Sequence, residues 1–186
     1  MHGAPCPIAV VPHGWDARRE LQTIGVAYAD SEEGREALRA AHALAARSEG
    51  TLRVLTVVRM HAAAYGETEA RRAGRTGKDF DEVEGEHRVK AEAAVEELVA
   101  DLGGDVEVQV DAFLEDPADT LIRVSEHLDL LVCGSRGYGP LRAVLLGGVS
   151  RRVAAEAHCP IIVLPRGVKA PLDALLDQGS ESTAAT

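Results

Sequence analysis

The residues best suited to chemistry lie in a glycine-rich stretch between positions 134 and 150. Gly134 and Gly137 are followed by Gly147, with nine residues between Gly137 and Gly147. Ser150 closes the stretch, which lies between an apolar run that predicts a buried strand and a pattern that predicts a helix. Glycines permit a tight turn whose backbone N–H groups point at an anion, and the unpaired N–H groups of a helix N-terminus favour phosphate. Two such elements on one connection indicate a polyphosphate ligand.

The same glycines also fit a purely steric role, because strand-to-helix turns in α/β folds often need small residues. Spacing excludes two known phosphate-binding motifs. The stretch lacks the P-loop pattern GxxxxGK[ST], and its glycines follow the fourth predicted strand, whereas a dinucleotide-binding turn follows the first. On these residues alone, the choice between phosphate binding and a steric role stays open.

Alternating strand and helix patterns predict the elements that position this stretch. We predict strands at Thr23–Ala29, Leu52–Val58, Val106–Phe113, Leu128–Cys133 and Pro160–Leu164. We predict helices from the cap Ser31 to Gly50, at Asp81–Leu102, from the cap Asp116 to about His127, and at Val149–Ala157. This alternation predicts right-handed βαβ units, and therefore an α/β fold with an open parallel sheet and helices on both faces.

Composition narrows the class of protein. The 186 residues include 30 acidic and 20 basic side chains, for a formal net charge of −10. Because such a charge repels polyanions, we expect no nucleic-acid partner and no membrane surface as partner. No secretory signal is visible, and no apolar run approaches the roughly 18 residues of a membrane span. The prediction is a cytoplasmic globular protein.

Cysteine and histidine spacing predicts no metal site. Three cysteines form no CxxC pair, and the seven histidines form no metal-ligand pattern. Cys133 and Cys159 lie in or beside apolar runs and are predicted to be small buried side chains. No catalytic residue is predicted.

The spacing of Gly134, Gly137 and Gly147 resembles the G-2x-G-9x-G-(S/T) nucleotide signature of the universal stress protein family. The resemblance extends over about Gln22 to Gly167. Three other segments also resemble the family: the first strand and acidic turn at Val26–Ser31, a helix start at Asp116–Ala118, and the closing helix and strand at Ala157–Pro165.

This resemblance implies a five-stranded parallel sheet of order 3-2-1-4-5, of the adenine nucleotide alpha hydrolase-like type, that binds ATP, with or without Mg²⁺. It implies that Asp30 contacts the adenosine and Val57 the adenine. Asp30 also fits a purely structural role as a helix cap, without contact to a ligand. The full set of nucleotide-binding residues that the resemblance implies is Ala29, Asp30, Val57, Gly134, Arg136, Gly137, Gly147, Gly148, Val149 and Ser150.

One residue departs from the family signature. The serine or threonine that follows the third glycine is replaced by Gly148. The backbone N–H is retained, but a hydroxyl donor worth on the order of 1 kcal/mol is lost. This departure favours an alternative: a family member that binds no nucleotide and acts through protein–protein contacts and dimerisation.

The chain also contains more residues than the resemblance needs. Residues 6–14 match residues 159–167 at six of nine positions, so residues 1–20 resemble the last strand of an upstream domain followed by a linker. The domain itself is predicted at 21–167, with a mobile loop at 60–80 and a mostly disordered tail at 168–186. The chain thus looks like the C-terminal domain of a tandem universal stress protein.

The repeated strand predicts a pairing partner. Pro7–Val11 is expected to pair antiparallel with Ile161–Leu164, within one chain or between two, which gives a homodimer or a tandem-type contact and covers a sheet edge.

The function expected from these residues is a regulatory or stress-response module that binds ATP. We expect hydrolysis to be slow at most, because no general base or Mg²⁺-binding carboxylate pair lies near the motif. An adenylate-forming or hydrolytic relative is disfavoured, because the first strand is not followed by a Ser-Gly-Gly turn.

Overall fold

A computed structural model describes residues 6–16, 18–57, 77–103, 105–135 and 147–164, with only the backbone described for 77–84 and 87. The elements, in chain order, are β1 (Ile8–Val10), β2 (Thr23–Tyr28), α1 (Glu32–Ser48), β3 (Thr51–Val57), α2 (Gly77–Ala100), β4 (Val108–Phe113), α3 (Pro117–Val124), β5 (Leu130–Gly134), α4 (Gly148–Glu156) and β6 (Ile161–Leu164). A short 3-10 turn at Ser125–His127 joins α3 to β5.

The strands form one six-stranded sheet in the order β1-β6-β5-β2-β3-β4. The neighbours from β6 to β4 all run parallel, whereas β1 runs antiparallel to β6. The predicted α/β fold is confirmed, as a mixed and mostly parallel sheet with helices around it.

Helices cover both faces of the sheet. Alternate residues of each strand point to opposite sides, so both faces carry apolar side chains that the helices bury. On one face, Val26 and Val132 pack with Leu38 of α1 and Val95 of α2. On the other face, Leu131 and neighbouring strand residues pack with side chains of α3 and α4, namely Leu121, Val124 and Val153. The second layer also contains the side chains that line the functional cavity described below.

The N-terminal repeat pairs with the segment that it resembles. Ile8, Ala9 and Val10 lie opposite Val163, Ile162 and Ile161 in antiparallel register. The pairing occurs within one chain and covers the outer edge of β6 with a short strand.

A nearly buried carboxylate connects the N-terminal segment to the start of the sheet. Asp129 Oδ2 accepts hydrogen bonds from the backbone N–H groups of Gln22 (3.1 Å) and Thr23 (2.9 Å). Its Oδ1 lies 3.2 Å from the guanidinium of Arg19, which also stacks on the ring of Trp15 at 4.9 Å. Trp15 packs in turn against the cluster that contains α3 and α4.

Some element boundaries differ from those predicted. Strand β4 begins at Val108 rather than at Val106. Helix α1 ends before Glu49, which adopts the left-handed conformation (φ 52°) expected of a glycine at that point. Gly50 serves a different purpose, because a Cβ there would lie 2.7 Å from the carbonyl oxygen of Leu21.

The prediction of a loop at 60–80 is wrong for residues 77–80. Helix α2 begins at Gly77, four residues earlier than predicted, so these residues are helical. The rest of that loop and the predicted tail at 168–186 lie outside the described residues. Within the described ranges, no helix combines the length and apolar character needed to cross a membrane.

We predict that Asp129→Ala lowers the free energy of unfolding by about 1–3 kcal/mol, because two backbone donors and Arg19 lose their acceptor. Urea unfolding followed by circular dichroism measures the change. Asp105→Ala, which removes an exposed carboxylate of the same type, is the control and is expected to change stability little. Equal unfolding midpoints for the two variants would contradict the anchoring role of Asp129.

Candidate functional site

A cavity of about 620 Å³ opens at the carboxyl ends of β2, β3 and β5. Three helices begin or pass beside it: α1 after β2, α3 after β4, and α4 after the glycine-rich stretch. The carboxyl end of a parallel sheet is where ligands bind in open α/β folds.

Seven of the residues that the family resemblance implies come together around this cavity: Ala29, Val57, Gly134, Gly147, Gly148, Val149 and Ser150. The other residues around it are Ala27, Tyr28, Ser31, Glu33, Gly34, Leu55, Pro117, Leu121, Cys133 and Val153.

The first turn of α1 forms one side of the cavity and packs closely on the end of β2. Ser31 caps the helix by accepting a hydrogen bond from the N–H of Gly34 (3.1 Å). A Cβ at Gly34 would overlap the carbonyl oxygen of Ala29, so only glycine fits there.

Gly134, at the end of β5, makes a second close contact with the same turn. A Cβ at this position would lie 2.8 Å from the carbonyl oxygen of Glu33 and 3.1 Å from its Cβ. The first glycine of the signature therefore has a steric role in the structure, which the sequence alone left open beside phosphate binding.

The N-terminus of α4 is built differently from those of α1 and α3. Asp116 caps α3 through the N–H groups of Ala118 (2.9 Å) and Asp119 (3.3 Å), whereas the cap residue Gly147 makes no side-chain bond. The N–H of Arg151 makes a helical bond to Gly147 (2.9 Å). The three preceding amides, of Gly148, Val149 and Ser150, belong to the orphan donors of the first turn, and all three residues line the cavity.

One group of lining residues, called the apolar wall below, is apolar. It includes Leu55 and Val57 from β3, Pro117 and Leu121 from α3, and Val153 from α4. At the floor, burial raises the pKa of the Cys133 thiol to about 12, with a smaller contribution from Cys159, so this side chain stays protonated and uncharged. A planar apolar group fits such a wall better than a charged one.

Charge and metal-binding capacity at the cavity are limited. Glu33 is the charged side chain among the described lining residues. No group of three or more histidine, cysteine or carboxylate side chains in the described ranges is arranged to hold a metal ion. A Mg²⁺ ion at this site would therefore depend on phosphate oxygens of a ligand for most of its coordination.

One described residue implied by the resemblance, Asp30, is not among the described lining residues. The carboxylate of Asp30 is exposed and pairs with the guanidinium of Arg35 at 2.7 Å. Arg136 and Gly137 lie outside the described residues.

Comparison with known proteins identifies the family. A family model described as the universal stress protein family matches residues 20–165, which is most of the chain. The chain belongs to the universal stress protein family. Universal stress proteins of Thermus aquaticus and Methanocaldococcus jannaschii are each 38% identical to it, over 50 and 55 residues. These matches cover 26% and 28% of this chain and 36% and 32% of the two relatives.

Solved universal stress proteins share the fold. One from Archaeoglobus fulgidus superimposes with a TM-score of 0.58 at 21% identity, over 90% of this chain and 52% of its own. A universal stress protein in complex with cAMP has a TM-score of 0.52 at 19% identity, over 78% of this chain and 98% of its own. An A. fulgidus family member in complex with dAMP has a TM-score of 0.52 at 18% identity, over 77% and 97%.

Within the apolar wall, the sequence predicted Val57 as a ligand contact but not Leu55, Pro117, Leu121 or Val153. In the first turn of α1, it predicted Ser31 as a cap but did not place Glu33 and Gly34 at the site. Pro117 directly follows the predicted cap Asp116, so its position at the carboxyl edge of the sheet could be predicted from the sequence. Leu121 and Val153 carried no such signal, because their periodicity marks them only as core residues.

We predict that Gly134→Ala displaces the first turn of α1 and destabilises the protein by about 1–3 kcal/mol, because the added methyl group meets the backbone of Glu33. Thermal and urea unfolding measure the effect. Gly147→Ala is the matched control, because in the part of the chain that the structure describes no atom lies within 4 Å of the Cβ position there. If both variants unfold at the same midpoint, the close contact does not constrain the site.

Proposed function

We propose that this universal stress protein domain binds an adenine nucleotide, and specifically ATP, in a regulatory or stress-response role. The observation that carries the proposal is the N-terminus of α4, which has no side-chain cap and opens into a cavity with an apolar wall. The helix N-terminus favours an anion, and the apolar wall favours a planar ring. One cavity contains both.

Each part of the proposed ligand has its own group of residues. The adenine lies against Val57 and the apolar wall, and the ribose lies near Ala29 and Gly134. The phosphates accept hydrogen bonds from the amides of the first turn of α4, and Ser150 adds a hydroxyl. The positive end of the α4 dipole supports the same placement. Arg136, Gly137 and Asp30 complete the proposed set, and the Arg35 pair of Asp30 rearranges to admit the ligand.

Family members of the same fold support this choice of ligand, since two of them are known in complex with cAMP and dAMP. Both ligands combine adenine with a phosphate, which is the combination that the cavity fits. The triphosphate is favoured because the sequence offers two candidate anion-binding elements on one connection, the N-terminus of α4 and the glycine spacing of Gly134 and Gly137.

The domain is proposed to bind rather than to turn over its ligand. Mg²⁺ accompanies the triphosphate, held mainly by phosphate oxygens. The described lining residues include one carboxylate, Glu33, and no histidine, so they provide no paired acid and base, and any hydrolysis is slow.

A second candidate is a domain that acts through protein–protein contacts without nucleotide. Gly148 favours it, because the signature hydroxyl is absent there. In this version the pairing of β1 with β6 marks the contact surface, and exchange of β1 between two chains or between tandem domains provides the dimer.

We predict that acid treatment of the purified protein, or direct calorimetric titration, detects adenine nucleotide binding. The expected result is heat on addition of ATP, with an affinity in the micromolar to millimolar range. A titration without heat at millimolar ATP would favour the protein-contact candidate, and many turnovers per second would contradict the role as a binding module.

We predict that Gly148→Ser strengthens ATP binding about fivefold, because one added hydrogen bond is worth about 1 kcal/mol. The position accepts a side chain, since no atom of the described residues lies within 4 Å of a Cβ there. Gly148→Ala adds the same Cβ without the hydroxyl and serves as the control. Equal ATP affinities for the serine and alanine variants would show that no phosphate oxygen lies near this position.

A further inference from the structure

The guanidinium of Arg152 links the two helices that flank the cavity. Its Nη2 lies 2.6 Å from Asp119 Oδ1 of α3, and its Nη1 lies 3.9 Å from Oδ1 of the α3 cap residue, Asp116. Its Nε lies 3.4 Å from Glu156 Oε1, one turn further along α4. One cation therefore links the first turn of α3 to the second half of α4.

Both helices line the cavity, and both contribute side chains to its apolar wall. Helix α3 presents Pro117 and Leu121 to the apolar wall, while α4 presents its first-turn amides and Val153. Arg152 lies within one turn of those amides but is not itself a lining residue. Arg152 thus connects α3 to α4 from outside the cavity, in addition to the apolar packing of Leu121 and Val153 between the same two helices.

From this arrangement we infer that Arg152 is a positioning residue, which holds the N-terminus of α4 at the distance from α3 that allows one ligand to reach both. The inference rests on the proposed function, because it concerns the same cavity. It assigns to the ion pair between Arg152 and Asp119 a selective effect on phosphate-bearing ligands, since adenosine has no phosphate to reach the first turn of α4.

A positioning role for Asp119 and a purely electrostatic role predict opposite effects of its neutralisation on anion binding. Removing the charge of Asp119 makes the surroundings of α4 more positive, so the electrostatic field alone would strengthen the binding of an anion. If Asp119 acts by holding Arg152, its neutralisation weakens that binding instead. Among the described residues, the ion pairs between α3 and α4 are those of Arg152 with Asp116 and Asp119.

The test is calorimetric titration of the full chain with ATP and with adenosine, for wild type, Arg152→Met, Asp119→Asn and Arg151→Met. Arg151 lies on the same helix and is exposed, with no ion pair to any side chain in the described ranges, so its substitution controls for loss of one positive charge. Unfolding midpoints of all four proteins are measured in parallel.

We expect Arg152→Met and Asp119→Asn each to weaken ATP binding about three- to fivefold, the size typical of half-exposed ion pairs, and to leave adenosine binding unchanged. Arg151→Met is expected to have a smaller effect. Stronger ATP binding by Asp119→Asn, equal losses for ATP and adenosine, or equal effects of the two arginine substitutions would each overturn the inference. A wild-type protein that binds neither ligand would instead overturn the proposed function on which it rests.

Discussion

The close backbone contact between the first turn of α1 and the ends of β2 and β5 is the constraint on which the site depends. Gly34 meets the carbonyl of Ala29, and Gly134 meets the carbonyl of Glu33, with no room for a Cβ at either glycine. These contacts place the turn directly above the carboxyl edge of the sheet. The cavity opens beside them, between this turn and the helices of the opposite layer, so its shape follows from backbone packing rather than from long side chains.

The other half of the site follows from how each helix begins. Ser31 and Asp116 satisfy the first amides of α1 and α3 with their own side chains, whereas Gly147 cannot do so for α4. A ligand anion is the natural acceptor for the donors that remain. The ion pairs of Arg152 then hold this helix against α3, which connects an exposed charge network to the geometry inside the cavity. The net charge of −10 is compatible with one small anion held by local amides, because helix-terminal donors act at hydrogen-bond distance.

The fold class could be predicted from the sequence because strand and helix patterns alternate cleanly and the caps Ser31 and Asp116 stand at their starts. Element ends were less accessible: a non-glycine residue, Glu49, takes the left-handed position after α1, and α2 begins inside a segment rich in glycine and arginine. The glycines of the site were visible as a pattern, but their steric partners were not, because they lie on another element of the fold. The apolar wall was hidden for a related reason, since Leu121 and Val153 look like ordinary core residues until α3 and α4 are placed side by side.

If the first-turn amides of α4 hold the phosphates of an adenine nucleotide, ¹H–¹⁵N NMR titration of the full chain with ATP and, separately, with adenosine tests this directly. We expect the amide resonances of Gly148, Val149 and Ser150 to shift strongly with ATP and little with adenosine, whereas Val57 responds to both. ATP binding that leaves those three amide resonances unmoved would contradict this placement of the phosphates.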